Sequence, residues 1–449
     1  MSRRVKVREN MKKSKGIYGI RRRAVCLAGA MILALAACGG NGGADLNLVA
    51  SREENHKVVN LFSPMEKTDP NAENTARSAA DKTIVMAEEK LGLTVGYITY
   101  TAENYQDKTY DQVALDRGRN DMDDLYLLNP DVIRTLGEEG KLRDLSGLAC
   151  AENLRDVVRT ANTVNGKLVA VPQEVVAYGL FINKDLFDKY SLELPETPED
   201  FLECCRVFKE NGIETPVGAN RWWLETFVLA QAYADLYNGG NTEAEIAALN
   251  SGESRYSDYL RPGFEFLQEM IDCGYIDAEK AYVSEAIEGE REDFLAQNTP
   301  IVMAYWGAAN TETAYGKTDF NMLVIGFPSS RGQMPVMPMT GYGVGVNAEH
   351  GEDAMEVLEV ILSDEALQVY AETNRVISPS KNVEVDCVPA LRPLNDKIQE
   401  NVYVLGSNAG MKMEQWGNIC LVVRQLLNGS TVEECMAEID RLQDESLVK

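Results

Sequence analysis

Residues 169–216 read VAVPQEVVAYGLFINKDLFDKYSLELPETPEDFLECCRVFKENGIETP, and the order of signals in them predicts the architecture. The apolar run at 175–182 is rich in Val, Tyr, Phe and Ile, which predicts a buried strand. Residues 183–185 end that strand, and residues 186–190 predict a short helix. Thr197 is a favourable N-cap, and Pro198 fits the first helical position. We therefore expect a strand, a short helix, a turn and a capped helix.

The remaining chain alternates between strand and helix signals in its first part and is mainly helical afterwards. Strands are predicted at 56–62, 93–99, 125–128, 299–305 and 320–327, and helices at 76–91, 105–117, 130–139, 221–237, 262–273, 284–297, 352–362, 365–372, 412–427 and 431–442. Alternation of this kind predicts a parallel sheet with crossover helices. The mature length exceeds what one core covers, so we expect two lobes.

The N-terminus has the features of an export signal. Residues 1–23 carry ten Lys and Arg residues, and residues 24–37 form an apolar run of fourteen, which suits a signal-peptide core and is too short for a stable membrane anchor. Residues 35–39, LAACG, look like a bacterial lipobox, so we predict cleavage after residue 37 and lipidation of Cys38. An ordinary signal peptide followed by a chance cysteine is the alternative. Residues 38–46 then form a flexible tether.

The mature chain is strongly acidic. Removing residues 1–37 removes ten basic residues and one acidic residue, which leaves 34 basic and 69 acidic residues and a net charge of −35. Such a charge argues against a nucleic-acid partner, since phosphates would be repelled. Seven cysteines remain after Cys38, at 150, 204, 205, 273, 387, 420 and 435, without metal-ligand spacing. We expect them to be reduced, although one buried disulfide stays open.

The order of these motifs resembles the family-1 extracellular solute-binding proteins of ABC importers, which take up sugars and oligosaccharides. In that family a proline, a strand crossing between two lobes, an Asn-Lys-Asp turn and a Pro-x-Thr-x-x-acid-aromatic helix start follow one another. Here those are Pro172, residues 175–182, residues 183–185 and residues 195–201. Residues 124–145 also match, except that Asp123-Asp124 replaces the Pro-Asp common in the family. A βα unit of another α/β protein is the alternative.

The resemblance covers about residues 47–445 and implies an α/β fold of the type II periplasmic-binding-protein kind. Each lobe would have a mostly parallel sheet flanked by helices, with the ligand cleft between the lobes. The implied boundaries are 47–175 and 347–376 for the first lobe, 183–340 and 377–449 for the second, and 176–182 and 341–346 for the crossings. A monomer anchored by a diacyl lipid to the extracellular face of the bacterial membrane, handing a carbohydrate to ABC permease subunits, is also implied.

Tryptophans are the first candidates for ligand contact, because sugar rings present apolar faces to aromatic side chains. The resemblance places stacking aromatics at Trp222 and Trp223. Since neighbouring residues on a helix point apart, we expect one of them, Trp222 before Trp223, in the cleft and the other in the core. Trp416, fifteen residues before Thr431, matches a stacking tryptophan of maltodextrin-binding members, with helix packing as the alternative.

A further aromatic position departs from the family pattern. The tryptophan expected on the strand at 299–305 would fall on Ala309, so Tyr305 or Trp306 is the substitute candidate. The acid expected four residues after Pro172 would fall on Val176. These departures indicate that the ligand is not simply maltodextrin.

Polar candidates lie at the ends of strands. Asn129 and Asp131 follow the strand at 125–128, at the sheet edge where ligands of open α/β sheets gather. Asp131 also matches a sugar-bonding acid of maltodextrin binders, and its alternative role is to complement the helix dipole after Pro130. Ser63 follows the first strand in the same way.

Three further candidates accompany the predicted crossings. Glu174 is the nearest acid to the displaced family position at Val176, and Tyr178 lies on the first crossing. Tyr342 lies on the second. All three are expected to contact the ligand.

Two other classes of protein stay open at this point. An enzyme is disfavoured because the two histidines are far apart and neither a Gly-x-Ser-x-Gly elbow nor a phosphate-binding loop occurs, although paired carboxylates of a glycosidase are not excluded by residue type. A surface adhesin or scaffold would need no cleft aromatics. The acidic run at 121–124 lacks EF-hand spacing and is interpreted as a solvated strand entry, so no metal or cofactor is predicted.

Overall fold

The structure is a computed structural model that describes residues 57–64, 76–101, 103–105, 108–221, 223–284, 288–304, 318–374, 376–384, 389–406 and 410–448. All of them belong to one compact unit that begins at residue 56. The predicted signal peptide, tether and lipidation site Cys38 lie outside the described residues, as do the candidates Trp222, Tyr305 and Trp306.

The elements, numbered in chain order, alternate as follows. They are β1 (Val58–Ser63), α1 (Ala76–Leu91), β2 (Thr94–Thr99), α2 (Tyr110–Arg119), β3 (Leu125–Leu128), α3 (Pro130–Glu138), α4 (Asp156–Asn162), β4 (Thr163–Val164), β5 (Lys167–Leu168), β6 (Gly179–Asn183), α5 (Lys184–Lys189), α6 (Pro198–Glu210), β7 (Val217–Gly218), α7 (Glu225–Asn238), α8 (Thr242–Ser251), α9 (Tyr256–Asp272), α10 (Ala278–Val283), α11 (Glu288–Leu295), β8 (Ile301–Ala304), β9 (Met322–Ile325), β10 (Val336–Met337), β11 (Gly341–Val344), α12 (Gly351–Ile361), α13 (Asp364–Asn374), α14 (Arg392–Gln399), β12 (Val404–Leu405), α15 (Trp416–Leu427) and α16 (Val432–Val448).

The first sheet has the order β11-β3-β1-β2 and forms the core of the first lobe. Strand β1 is parallel to β2 and β3, and only β11 is antiparallel. Helices α1, α12 and α13 cover one face, where Val59, Leu61, Ile84 and Val357 are buried. The carboxyl ends of β1 and β3 therefore meet at one edge, which is the edge that carries the start of α3.

The acidic run before β3 is structural, and its interpretation as a solvated strand entry is wrong. Asp123 and Asp124 are both 3% exposed. Arg117 Nη2 donates to Asp123 at 2.6 Å, and the Asp124 carboxylate accepts from the backbone N–H groups of Asn60 and His350 at 2.9 and 2.8 Å. Because each carboxylate has specific donors, burial is tolerated and the strand entry is fixed.

The second sheet has the order β7-β8-β6-β9 and forms the core of the second lobe. Only β7 and β8 are parallel here, whereas β6 runs antiparallel to both β8 and β9. The α/β class is confirmed, but this second sheet is mixed and not mostly parallel. The reason is topological: the chain enters this sheet through β6 and returns towards the first sheet after β9, so these strands must run in opposite directions.

Two extended segments connect the sheets. The first, 171–178, is bridged to Tyr342 at Val171, to Ile377 at Val175 and to Val336 at Tyr178, before it continues as β6. The second runs from β10 to β11 through residues 338–340. The expected crossing at 341–346 is displaced, because residues 341–344 are already a strand of the first sheet, paired with β3. The return crossing therefore lies just before Gly341.

Helix α9 begins earlier than the sequence predicts and packs closely against α7. Helix α9 begins at Tyr256, and Pro262, predicted as a helix start, lies inside it. The next residue, Gly263, lies against α7, where an added Cβ would be 2.7 Å from the Cα of Val228. This close approach of two helices requires glycine and compensates for the backbone hydrogen bond that Pro262 cannot form.

The described cysteines are Cys150, Cys204, Cys205, Cys273, Cys420 and Cys435, and all six are free thiols. Within the described part of the chain, no helix combines the length and the apolar character needed to span a bilayer.

Candidate functional site

A cavity of about 390 Å³ lies between the two lobes beside both connecting segments. The described residues that line it are Asp111, Asn129, Pro130, Asp131, Val176, Tyr178, Pro338, Thr340, Glu414, Trp416 and Gly417. Four of the sequence candidates, Asn129, Asp131, Tyr178 and Trp416, are brought together here. The lining comes from both lobes and both crossings, which is the arrangement expected of a cleft that closes on a ligand.

The polar wall is formed by the starts of two helices of the first lobe. Asn129 is the N-cap residue of α3, but its side chain makes no capping bond; instead its Nδ2 donates to Asp111 Oδ1 at 2.8 Å. Asp111 lies in the first turn of α2, whose capping box is made by Thr109 and Gln112. Because Thr109 already caps α2, Asp111 is available to face the cavity. Burial raises the pKa of its carboxyl, and the bond from Asn129 opposes that rise.

The opposite wall is aromatic. The ring centroids of Tyr178 and Trp416 are 5.0 Å apart with an interplanar angle of 37°, and the ring of Trp223, which is not a lining residue, lies 6.1 Å from that of Tyr178. Trp416 and Trp223 are both partly buried. Rings at this separation pack favourably against each other, so the wall is held in place before any ligand arrives.

The start of α15 holds Trp416 at the cavity. The side chain of Gln415 is buried, accepts a hydrogen bond from the Tyr233 hydroxyl and donates to the Met413 carbonyl at 2.7 Å. Gly406 lies against the indole: an added Cβ there would be 2.6 Å from Cζ3 of Trp416. These contacts restrict the indole to one position, which is a requirement for stacking on a ligand.

Glu414 closes the cavity beside Trp416. Its carboxylate accepts from the backbone N–H of Gly417 at 2.5 Å and from that of Asn418 at 3.0 Å, so it satisfies the free donors at the start of α15. The negative charge is stabilised there by the helix dipole. A carboxylate of the second lobe is thereby fixed at the cavity, opposite Asp131 of the first lobe.

Asp131 and Glu414 are close enough for their carboxyl groups to hydrogen-bond across the cleft. Burial, followed by the charge of Glu414, raises the pKa of Asp131 to about 8, and Arg134 on the same helix opposes this. The pair of Asp131 and Glu414 therefore holds a proton at neutral pH in this arrangement. The Oδ1 atom of Asp131 is buried and has no hydrogen-bond partner among the described residues, so this atom is left unsatisfied in the absence of a ligand.

Four other described sequence candidates are not among the residues that line this cavity, and one of them is Trp223, which packs near Tyr178. Ser63 is 2% exposed at the end of β1, and Tyr342 is 5% exposed within β11. Glu174 faces helix α13, where it hydrogen-bonds with Tyr370, and burial raises its pKa to about 7. Their roles in ligand contact stay predictions.

Sequence reasoning missed Asp111 and Glu414 as lining residues. Asp111 carries the signal of an acid in the first turn of a helix, but so do many acids in this chain. Glu414 lies two residues before Trp416, and its proximity to Asp131 depends on how the two lobes meet. Only the three-dimensional structure shows that proximity.

Another cavity, of about 500 Å³, lies within the second lobe near the starts of α10 and α11. Its described lining contains the ion pair of Lys280 with Asp293 but no aromatic side chain. Among the described residues, no group of three or more His, Cys, Asp or Glu side chains is arranged to hold a metal ion. The cavity between the lobes is therefore the better candidate site, because it combines aromatic faces with polar groups from two lobes.

Comparison with protein families assigns residues 71–368 to a model described as bacterial extracellular solute-binding protein. That range is more than half of the chain. It includes the whole first crossing, the polar wall of the cavity and the return to the first lobe.

Solved structures with the same fold are similar over nearly their full lengths. A family 1 extracellular solute-binding protein from Bifidobacterium longum subsp. infantis is 16% identical, with a TM-score of 0.68, and the match covers 87% of this chain and 99% of that one. A sugar transporter from Bacillus licheniformis, solved in complex with stachyose, is 17% identical, with a TM-score of 0.65 and coverage of 87% and 100%. The sugar-binding protein MalE from Xanthomonas citri is 13% identical, with a TM-score of 0.65 and coverage of 87% and 98%. These similarities show the two-lobed fold.

Proposed function

The chain belongs to the family of bacterial extracellular solute-binding proteins, and on that premise we propose that it captures a carbohydrate, an oligosaccharide, between its lobes and delivers it to the permease of an ABC importer. The observation that carries the proposal is the cavity wall of Trp416 and Tyr178, which faces Asn129 and Asp131 across the cleft. An aromatic face opposite hydrogen-bonding groups matches the two surfaces of a sugar ring. The similar protein from Bacillus licheniformis was solved with the oligosaccharide stachyose, which supports this ligand class.

The ligand would act as the link that holds the lobes together. Trp416 belongs to the second lobe and Asp131 to the first, so a ring stacked on the indole reaches acceptors of the other lobe. A ligand shifts an equilibrium towards the closed form only by binding that form more tightly. Contacts to both lobes supply this difference, and the closed form is what a permease would recognise.

The test is a thermal-shift screen of the purified full chain with neutral mono- and oligosaccharides, followed by titration calorimetry. A ligand that binds only the folded state raises the melting temperature. Incubation with labelled oligosaccharide separates the other classes of protein: retained intact ligand supports a binding protein, and released product would indicate an enzyme. If neither stabilisation nor product appears with any carbohydrate, the proposal is wrong.

We also propose that the protein is lipid-anchored through Cys38. The support is the sequence LAACG at 35–39, which follows the apolar run. Cys38→Ala should release the protein into the medium or leave it unprocessed, whereas Cys26→Ala, inside the apolar run, is the control and should change neither. Partitioning into detergent measures this, and an unchanged distribution of the Cys38→Ala variant would contradict the anchor.

A further inference from the structure

The two lobes bring two carboxyl groups together in the cavity. Asp131 lies in the first turn of α3, and Glu414 precedes α15 in the second lobe. The two groups are within hydrogen-bonding range, and both line the same cavity. Two carboxylates at this separation repel each other, so the arrangement is unfavourable unless a proton or another positive group lies between them.

The described lining of the cavity places no cation between the two carboxyl groups. The described residues that line the cavity include a third acid, Asp111, but neither lysine nor arginine. Arg134, whose charge lowers the pKa of Asp131, pairs with Glu138 through Nη1 at 2.9 Å. The described lining of the cavity is therefore acidic, and a cationic group of a ligand would take the place of the proton between the two carboxyl groups.

Two further observations indicate where such a partner would bind. Oδ1 of Asp131 is buried without a hydrogen-bond partner among the described residues. The rings of Trp416 and Tyr178 line the same space, and aromatic faces attract cations as well as sugar rings. Glu414 keeps its backbone donors at Gly417 and Asn418, and each of its oxygens has a second lone pair for a ligand donor.

We propose that the ligand is an amino sugar: its protonated amine binds between the carboxylates of Asp131 and Glu414 while its ring stacks on Trp416. This inference rests on the proposed function, since it names the class of carbohydrate that the same cavity selects. An ammonium group has three donors and one positive charge, which suits two acceptors from opposite lobes. Charge-assisted hydrogen bonds of this kind are about twice as strong as neutral ones.

The proposal includes a proton balance that can be measured. In the closed arrangement without a cation, Asp131 holds a proton, because burial and the charge of Glu414 raise its pKa to about 8. When an ammonium group binds, Asp131 gives up that proton to the solvent. When a neutral sugar binds, the proton stays on Asp131. The neutral complex therefore contains about one carboxyl proton more than the amine complex, whatever the state of the protein before binding.

The experiment compares sugars that carry a free amine with matched sugars that lack one. Glucosamine is compared with glucose, and β-1,4-linked glucosamine oligomers are compared with their N-acetylated forms, by calorimetry on the full chain. We expect the amine to bind at least tenfold more tightly at pH 7. The affinity ratio of amine to neutral sugar should also rise about tenfold per pH unit between pH 5.5 and 7, where the ligand amine stays charged.

The variant pair Asp131→Asn and Glu199→Gln tests the assignment. Both are acids that follow a proline at the first position of a helix, in α3 and α6, but Glu199 is exposed and far from the cavity. Asp131→Asn should abolish the pH dependence of the affinity ratio and lower the preference for the amine to less than threefold. Glu199→Gln should leave both unchanged, because it removes only a helix-dipole contribution.

The outcomes separate this inference from the proposed function. Tighter binding of the neutral sugars, or a pH-independent ratio, overturns the amino-sugar assignment while the carbohydrate function stands. Binding of no carbohydrate overturns both. Stabilisation by calcium chloride alone, with no response to the amines, would make the pair a metal site and would also overturn the assignment.

Discussion

At the scale of single residues, the fold contains a fully buried carboxyl group that has no partner on another described residue. Glu225, in the first turn of α7, is 0% exposed, and its own backbone N–H is the one contact that stabilises its charge. Burial raises the pKa of this carboxyl well above its ordinary value. The folded protein therefore binds a proton at Glu225 at pH values where the unfolded chain has released it.

The sign of the resulting pH dependence follows from that difference. Stability falls with rising pH wherever the folded state holds more protons, so the free energy of unfolding should fall above about pH 5. Glu225→Gln is neutral at every pH and should lose fewer degrees of melting temperature between pH 5 and 8. Glu243→Gln, an exposed acid in the first turn of α8, is the control and should follow the wild type. Equal losses for both variants would contradict a buried, protonated Glu225.

Trp416 permits a second test at this scale. Removing the indole by Trp416→Ala should remove about 1–3 kcal/mol of ligand burial, which corresponds to about tenfold to a hundredfold in affinity. Leu421→Ala, which truncates a 53% exposed residue of the same helix, should bind normally. Calorimetry measures the affinity, and melting curves without ligand check the fold. If Trp416→Ala binds as tightly as the control variant, the aromatic wall does not contact the ligand.

Some residues of the candidate site could be predicted from the sequence, and others could not. Asn129, Asp131, Tyr178 and Trp416 were predictable because strand ends and crossings collect ligand groups, and all four line the cavity. Glu414 was not predictable, because its effect depends on Asp131, which is 283 positions earlier in the numbering. Long-range proximity of this kind leaves no periodic or local signal in a sequence.

At the scale of elements, the position of Trp416 depends on strand β12 beneath it. An added Cβ at Gly406 would be 2.6 Å from Cζ3 of Trp416 and 2.7 Å from Cγ1 of Val336. The contact involves an aromatic ring and a strand that are both fixed by packing, so neither can move away at low cost.

Gly406→Ala should therefore displace the indole and weaken ligand binding. Overpacking of this degree costs about 1–3 kcal/mol of stability, and the melting temperature should fall accordingly. Gly147→Ala is the matched control, since a Cβ there has no atom within 4 Å. Unchanged tryptophan fluorescence and unchanged affinity in Gly406→Ala would show that α15 is held by other contacts.

Elements also show where local signals are sufficient. The N-cap at Thr197 and the proline that follows it were predicted correctly, because capping depends on residues within one turn, whereas the capping box that Asp200 completes was not predicted. The direction of the strands in the second sheet was read incorrectly, since it depends on the path by which the chain returns to the first lobe. The helix that was predicted to begin at Pro262 begins at Tyr256 for a similar long-range reason. The contact of Gly263 with α7 outweighs the preference of proline for the first position of a helix.

At the scale of the whole molecule, two extended segments connect the sheets of the two lobes beside the cavity, where the carboxyl groups of Asp131 and Glu414 come together. Bending at these segments would separate Asp131 from Glu414 and return both to water. In the separated form the pKa of Asp131 would be near its ordinary value of 3.8, whereas in this structure, where the two carboxyl groups lie together, it is about 8. The closed form therefore binds one proton more than the open form between these two values.

Without ligand, rising pH should consequently open the molecule. The ratio of closed to open protein should fall by about tenfold per pH unit between pH 5 and 7, because closure requires protonation of Asp131. Small-angle X-ray scattering of the full chain should show a larger radius of gyration at pH 8.5 than at pH 5.5. A bound ligand should reverse the increase.

In Asp131→Asn, where the amide carries no proton to lose, the radius should not change with pH, and Glu199→Gln should behave as the wild type. Identical scattering of the wild type at both pH values would mean that the carboxyl pair does not govern closure, since the lobes would then be held together by contacts that do not titrate.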